Sequence, residues 1–398
     1  MNLHFLYEKF YKEFFSKYPA AVFVTDEFSV GPPYYLIKRI SKDEKSFSPG
    51  MTGYVLFFDQ EPIYPHTSPY KSNGHTETKE WFDDVSLQLL PKLVIISEHS
   101  SEAEDLKDKL TELNNGTYQP VVYYFYHALA CLDNYRNYWK EDIPIPSNHK
   151  YLFICYQNVI NPYRWHRIRF QHLLRKSRLG EHGLVSYFPP EKDEVVRIIK
   201  QATKRHGNEK VEQEVLNDVD ILLESSSIDT NSPDGAMSTF IDIENCHEAF
   251  IHVVSETAFY NGKKHLTEKI FKPIVAKQPF LLLGAYGNLE YLKSYGFKTF
   301  DHWWDESYDN IKDDDERIKA VFNILERISK MSYEEQCAMH KEMHEVLEYN
   351  WYHFYYNLKD IVIDELVANM KEEFAKSPRW AYMYTNDDID HLGKMLRF

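Results

Sequence analysis

The stretch FIHVVSETAFYNGKKHLTEKIFKPIVAKQPFLLLG, residues 250–284, indicates the fold class of the second half of the chain. It begins with an apolar, β-rich run at 250–254 and ends with another at 280–283. A polar loop follows the first run, and the periodic segment 266–277 then predicts a helix. A strand, a helix and a second strand in this order are typical of a parallel sheet covered by helices.

The polar residues of this stretch cluster where ligands of open α/β sheets bind, beyond the carboxyl end of a strand. Ser255 and Glu256 end the first strand, and Thr267 is predicted to cap the helix. Glu268 and Lys269 then fall in the first turn, where backbone N–H groups and the helix dipole favour an anion. Glu256 can hold the hydroxyls of a ribose, and Lys269 is a point charge that can reach a diphosphate.

This stretch resembles the signature of the inverting α-1,3-fucosyltransferases, which are glycosyltransferases of GT-B fold. Their pattern is a strand, Glu-Asn-Ser, a short gap, Val-Thr-Glu-Lys, a helix and an apolar strand. Here Ser255-Glu256-Thr257 stands where Glu-Asn-Ser would, and Leu266 precedes a matching Thr-Glu-Lys. The resemblance implies a GDP-sugar as donor, held by Glu256, Thr267, Glu268 and Lys269.

A second partial match lies at residues 151–176, YLFICYQNVINPYRWHRIRFQHLLRK. The apolar beginning predicts a strand, and the residues after it predict a turn and a basic helix. In the same family an Asn-rich turn precedes a helix whose Arg contacts the donor diphosphate. The resemblance therefore places Asn158, Arg164 and Arg167 at the donor, with Arg167 preferred for the diphosphate. Arg169 is a rival for that role, and a solvated basic helix face is the alternative interpretation.

The first half of the chain supplies the candidate base. Inversion at an anomeric carbon needs a base that takes the proton of the acceptor hydroxyl. The run YVLFFDQEPIY, residues 54–64, loosely resembles the strand and Glu-Ser-Pro of animal-type members of the family. Glu61 takes the place of the base proposed there, and Asp59 is the rival on the same face of an extended segment. Ordinary carboxylates at a strand end are the alternative interpretation.

The chain is predicted to form two Rossmann-like α/β domains that face each other across a cleft, with a C-terminal helical tail. Its 398 residues exceed the size at which a single core keeps growing. Short apolar runs alternate with helical stretches in the first half as in the second. The run Lys298-Thr299-Phe300 is also strand-like. The expected parts are an acceptor-binding domain, a donor-binding domain and a tail packed across both, at residues 1–145, 150–350 and 351–398.

Composition and charge exclude several classes of function. The formal net charge of −15 argues against broad binding to nucleic acid. The four cysteines are far apart, so a disulfide framework or a structural zinc site is not expected. The chain has no signal-peptide pattern and no apolar run long enough to span a bilayer. A cytoplasmic protein with reduced thiols is expected.

No cofactor or metal ion is expected beyond the nucleotide-sugar co-substrate. The string Asp218-Val219-Asp220 fits the Asp-x-Asp pattern of metal-dependent transferases, but it lies in a charged region where short acidic strings are common. The predicted partners are a nucleotide-sugar donor and a glycan or another hydroxyl acceptor. Two alternatives stay open: a non-catalytic carbohydrate- or nucleotide-binding protein of transferase-like fold, and a glycosyltransferase that modifies nucleic acid.

Overall fold

The structure is a computed structural model that describes residues 14, 20–24, 53–58, 93–97, 107–108, 110–112, 114–138, 143–157, 160–206, 208–224, 240–260 and 264–397. The chain divides into two compact units. The first unit is Met1–Asn134 with Asn357–Phe398, and the second is Tyr135–Tyr356.

Strands and helices alternate between residues 126 and 294, and the described elements after residue 294 are helical. The strands are β1 (Ala20–Val24), β2 (Gly53–Phe58), β3 (Leu93–Ser97), β4 (Val121–Tyr123), β5 (Tyr151–Tyr156), β6 (Gly183–Ser186), β7 (Ala249–Ser255) and β8 (Phe280–Leu283). The α-helices are α1 (Tyr126–Tyr138), α2 (Trp165–Lys176), α3 (Lys192–His206), α4 (Glu209–Asn217), α5 (Ile243–Glu248), α6 (Glu268–Val275), α7 (Asn288–Ser294), α8 (Asp314–Ser329), α9 (Tyr333–Glu342), α10 (His344–Tyr356), α11 (Leu358–Lys376), α12 (Pro378–Met383) and α13 (Asn386–Arg397).

The first unit contains a four-stranded parallel sheet in which strand order follows chain order, β1-β2-β3-β4. The helices α11 to α13 of the predicted tail belong to this unit. Glu373 of α11 ties the tail to the sheet, since its carboxylate accepts a hydrogen bond from the Val121 backbone N–H at 3.1 Å. The same carboxylate binds Tyr118 Oη at 2.8 Å and Lys107 Nζ at 2.9 Å.

The second unit contains another four-stranded parallel sheet, but in the order β6-β5-β7-β8. Every residue of β7 and of β8 is buried, as expected for strands of a parallel sheet that is covered by helices. Trp165 and Ile168 of α2 pack with Ile199 of α3 in a core beside this sheet. The predicted α/β class with two parallel sheets is confirmed, whereas the cleft and the roles of the domains stay predictions.

Two local expectations change in the structure. The strand-like run Lys298-Thr299-Phe300 forms no strand, because side chains satisfy its backbone: Glu306 accepts from Phe300 N–H, and Asn350 bonds to both backbone groups of Lys298. The helix predicted to reach Lys277 ends at Val275, and Lys277 has a positive φ of 51° that an α-helix does not accommodate.

The described residues also bear on the membrane and on the thiols. None of the helices in these ranges has the length and apolarity that crossing a bilayer requires. The four cysteines are free, and Cys131, Cys155 and Cys246 are buried. Burial raises the pKa of the Cys155 and Cys246 thiols to about 12, so both are neutral and unreactive near neutral pH.

Candidate functional site at the carboxyl ends of β5 and β7

The strand order of the second sheet reverses between β5 and β7. The chain moves from β5 outward to β6 and returns to place β7 on the other side of β5. Ligands of open α/β sheets bind outside the carboxyl ends of the strands at such a reversal. β5 ends at Tyr156 and β7 ends at Ser255, and the helices α2 and α6 follow these ends. The fold therefore places the beginnings of both helices at the edge where a ligand is expected.

Glu256 fastens the beginning of α6 to the end of β7. Its two carboxylate oxygens accept hydrogen bonds from the Thr267 backbone N–H at 3.1 Å and from Thr267 Oγ1 at 2.7 Å. Thr267 caps α6, as predicted, by accepting from Lys269 N–H. Glu256 is fully buried, and this burial raises the pKa of its carboxyl. A direct contact between Glu256 and a ribose stays a prediction.

Lys269 lies in the first turn of α6 beside the same threonine. Its Nζ atom is 2.7 Å from Glu268 Oε1 and 3.0 Å from Thr267 Oγ1. The Lys269 side chain keeps 25% of its surface exposed, whereas that of Glu268 keeps 10%. The ammonium group is thus held at the helix beginning while a part of its surface stays accessible to a ligand.

Arg167 lies in the first turn of α2 and reaches the end of β7. Its Nη2 donates to the Ser255 backbone carbonyl at 3.3 Å, and the residue is only 3% exposed. Burial, and next the charge of Arg164, lower the pKa of Arg167 to about 9, although the carboxylates of Glu256 and Glu268 act in the opposite direction. An anion brought to this guanidinium would stabilise its charge.

The remaining predicted site residues are placed as follows. Arg164 precedes α2 and is half-buried, and its backbone N–H donates to Asn161 Oδ1 at 3.0 Å. Asn158, Asp59 and Glu61 lie outside the described residues. The structure thus brings together five of the predicted residues around the end of β7, namely Arg167, Glu256, Thr267, Glu268 and Lys269.

Arg169, the rival of Arg167, belongs to an ion-pair network instead. Its Nε donates to Asp315 at 2.7 Å and its Nη2 donates to Glu214 at 3.1 Å. These two carboxylates already match the guanidinium charge and join α2 to α8 and α4. Arg169 therefore stabilises the packing of α2, and no part of its fork is directed to the end of β7.

The acidic string at Asp218 and Asp220 also forms ion pairs. Asp218 Oδ2 lies 2.8 Å from Lys176 Nζ and 2.9 Å from His172 Nε2, and these bonds lower the pKa of the Asp218 carboxyl. Asp220 Oδ1 lies 2.5 Å from Lys192 Nζ. Both carboxylates are bound by basic side chains of α2 and α3. These ion pairs balance the two negative charges without a metal ion.

A buried chain of amides at the same edge was missed by sequence reasoning. Gln157, just after β5, donates from Nε2 to Ser255 Oγ at 3.3 Å, and its Oε1 accepts from Gln171 Nε2 at 2.8 Å. Gln171 follows Arg167 by four positions and so lies on the same face of α2. That spacing is the signal in the sequence that could have pointed to Gln171. It can be interpreted only when β7 is known to lie beside β5.

The helix that follows β8 already has an internal anion at its beginning. The Asp309 carboxylate accepts from Leu289 N–H at 2.9 Å and from Glu290 N–H at 3.0 Å, in the first turn of α7. The beginning of α6 also has internal carboxylates, those of Glu256 and Glu268, but Lys269 lies beside them. A cation that could meet a ligand phosphate is therefore present at the beginning of α6.

No protein-family model matches the chain, and no curated protein matches it. The solved structures similar to it include a UDP-forming α,α-trehalose-phosphate synthase from Burkholderia vietnamiensis, with 11% identity, 79% of this chain and 69% of that chain covered, and a TM-score of 0.36. Another is titled trehalose-6-phosphate from E. coli bound with UDP-2-fluoro glucose. It shows 12% identity and a TM-score of 0.36, and the match covers 84% of this chain and 76% of that chain. Likeness at this level carries no argument about activity.

Proposed function

We propose that the chain is a glycosyltransferase that moves a sugar from a nucleoside-diphosphate donor to a hydroxyl acceptor. The observation that carries this proposal is the convergence of Arg167, Glu256 and Lys269 at the reversal of strand order between β5 and β7. Two cations and the N-terminus of a helix meet there at an edge where open α/β sheets bind ligands.

The arrangement suits a reaction whose leaving group is a diphosphate. Negative charge grows on the diphosphate as the bond to the sugar breaks, so fixed cations stabilise the transition state more than the ground state. Arg167 supplies a planar fork that can bind two phosphate oxygens, and Lys269 supplies a point charge. Glu256 holds the helix that carries Lys269 against β7, so the two cations need little reorganisation during the reaction.

The finer part of the proposal is a fucose-like sugar, a GDP donor, and an inverting single displacement that needs no metal ion. Support for it comes from the resemblance of residues 250–284 and 151–176 to the fucosyltransferase signature. Glu61 or Asp59 would deprotonate the acceptor hydroxyl as the new bond forms. Both residues lie outside the described part of the chain, so this step depends on the sequence alone.

The test is a thermal-shift screen of the full chain against GDP, UDP and their sugars, followed by calorimetry with the nucleotide that binds best. A ligand that binds only the folded state at about 100 times its Kd stabilises the protein by about 2.7 kcal/mol. We expect Lys269→Ala to abolish this shift. Lys330→Ala is the matched control, because it removes another lysine paired with a glutamate, at 3.0 Å from Glu326.

Two outcomes would count against the proposal or a part of it. Unchanged nucleotide affinity in Lys269→Ala would contradict the site itself. Loss of turnover in a chelator, restored by manganese, would contradict the metal-independent mechanism and favour the Asp218-Val219-Asp220 string. Nucleotide binding without sugar transfer to any hydroxyl acceptor would favour the non-catalytic alternative.

A further inference from the structure

The loop after β7, residues 256–260, is bound to the first turn of α2 by contacts that centre on His166. The His166 Nε2 atom lies 3.0 Å from the Glu256 backbone oxygen, and because a carbonyl only accepts, Nε2 carries the proton and donates it. The backbone N–H of His166 donates to Tyr260 Oη, also at 3.0 Å. His166 therefore contacts both ends of the loop that begins with Glu256.

The imidazole ring is also fixed by stacking. It lies on the ring of Phe259 with centroids 4.5 Å apart and an angle of 9° between the planes. The Arg317 guanidinium lies over the same Phe259 ring at 4.2 Å and donates to the Phe259 carbonyl at 2.9 Å. Phe259 is thus held by two partners, and the position of the His166 ring is determined by packing.

The second ring nitrogen of His166 makes the residue unusual. Nδ1 is buried and has no hydrogen-bond partner among the residues that the structure describes. An unsatisfied buried acceptor costs free energy, and a phenylalanine would stack on Phe259 without that cost. What a phenylalanine would lack is the donor to Glu256. The hydrogen bond to Glu256 is therefore the property that distinguishes histidine from an apolar ring here.

His166 is neutral around physiological pH. It is completely buried, and burial together with the charges of Arg167, Arg164 and Arg317 holds its pKa well below the ordinary value. A proton donor or acceptor for catalysis needs a pKa near the working pH. His166 thus has the geometry of a fixed hydrogen-bond donor rather than that of an acid or base.

We propose that His166 is a positioning residue of the donor site. It precedes Arg167 in α2 and binds the backbone of Glu256 after β7, so it sets the distance between the guanidinium that would hold the diphosphate and the carboxylate that holds α6. This inference rests on the proposed function. It adds that nucleotide affinity depends on the Nε2–H donor of His166.

The experiment compares His166→Phe with His166→Gln in the full chain, using calorimetry with GDP or, if it binds better, UDP. His166→Phe keeps an aromatic ring and loses the donor, and we expect affinity to fall about tenfold. His166→Gln loses the ring but keeps an N–H donor at similar reach, and we expect it to remain within about threefold of wild type. His172→Gln is the control, because His172 lies in the same helix and binds Asp218 away from this edge.

The outcomes separate a positioning role from other roles. Equal affinity of wild type and His166→Phe, or an equal loss in both variants, would overturn the inference while leaving the proposed function intact. A wild-type protein that binds no nucleoside diphosphate would contradict the proposed function and the inference with it. If His166→Phe does not fold, the pH dependence of nucleotide binding is compared between wild type and His166→Gln. We expect the two affinities to change with pH in the same way between about pH 6 and pH 8. A change of affinity with pH that is present in wild type and absent in His166→Gln would overturn the inference.

Discussion

The two ends of β7 bury polar side chains in different ways. At the carboxyl end, Glu256 binds the beginning of α6 and Arg167 reaches the Ser255 carbonyl. At the amino end, the Phe250 ring stacks on His149 with centroids 4.9 Å apart and meets the edge of His340 at 5.3 Å. Charged groups thus dominate one end, and aromatic rings with imidazoles dominate the other.

The difference shows that burial of polar groups does not by itself mark a ligand site. Burial lowers the pKa of His340 to about 4 and lowers that of His149, so both are neutral near pH 7. The carboxyl end keeps the charge of Arg167 close to a partly exposed Lys269. The positive charge beside the beginning of a helix favours binding of an anion at the carboxyl end of β7.

The largest effect is expected when one carboxylate is removed at each end of β7. Glu256→Ala leaves two buried donors of Thr267 without their acceptor, and we expect it to lower the free energy of unfolding by about 3 kcal/mol. Glu248→Ala, at the amino end, removes an exposed pair with Lys150 at 3.8 Å, and we expect no measurable change. Urea denaturation checks both variants. Equal stability of the two variants would break the distinction between the ends.

The next effect is a loss of stability in acid that arises at the amino end. The pKa of His340 is lowered to about 4 by burial and then by the charges of His344, His149 and His247, so the unfolded chain binds more protons below pH 6.5. Stability contributed by the neutral ring is present above that pH and is lost as pH falls towards 4.

Between about pH 7.5 and about pH 4.5, we expect the free energy of unfolding of His340→Gln to fall by about 2 kcal/mol less than that of wild type. His302→Gln is the control, because His302 is exposed in the same unit. Denaturation curves at the two pH values give the comparison. An identical pH dependence of wild type and His340→Gln would show that the histidines at the amino end do not act as described.

The smallest effect is expected from Asp218→Asn. Asp218 is partly exposed and binds Lys176 and His172, so its charge contributes less than about 1 kcal/mol to stability. Because neither partner reaches the end of β7, we expect the affinity for a nucleoside diphosphate to be unchanged. Calorimetry would detect a loss of affinity in this variant, and that loss would move the site away from the carboxyl end of β7.

Much of the local structure could be predicted from the sequence. The apolar beginnings of residues 54–64 and 151–176 lie in β2 and β5, and the runs at 250–254 and 280–283 lie in β7 and β8. Thr267 caps α6, where an oxygen-bearing side chain precedes a periodic segment. The run Lys298-Thr299-Phe300 does not form the expected strand for a physical reason. Its backbone groups bond to the side chains of Glu306 and Asn350, and the periodicity of the sequence does not reveal such partners.

The candidate site could be predicted only in part. Its residues from the β7–α6 stretch are adjacent in sequence, so a capping pattern and a family resemblance identify them. The choice between Arg167 and Arg169 is different, because two positions in a helix differ by about 200° in direction. Packing sends Arg167 to Ser255 and Arg169 to Asp315. Gln157 and His166 carry no local signal, since their partners come from β7 and the loop after it.

Most of the strands and helices, and the threonine cap of α6, follow from the amino-acid sequence alone, because they depend on neighbours a few positions apart. The position of β5 between β6 and β7, in contrast, is known only from the folded chain. The same strands could pair in several orders, and the choice depends on long-range burial. That order brings α2 beside the end of β7, and so it unites Arg167 with Glu256 and Lys269.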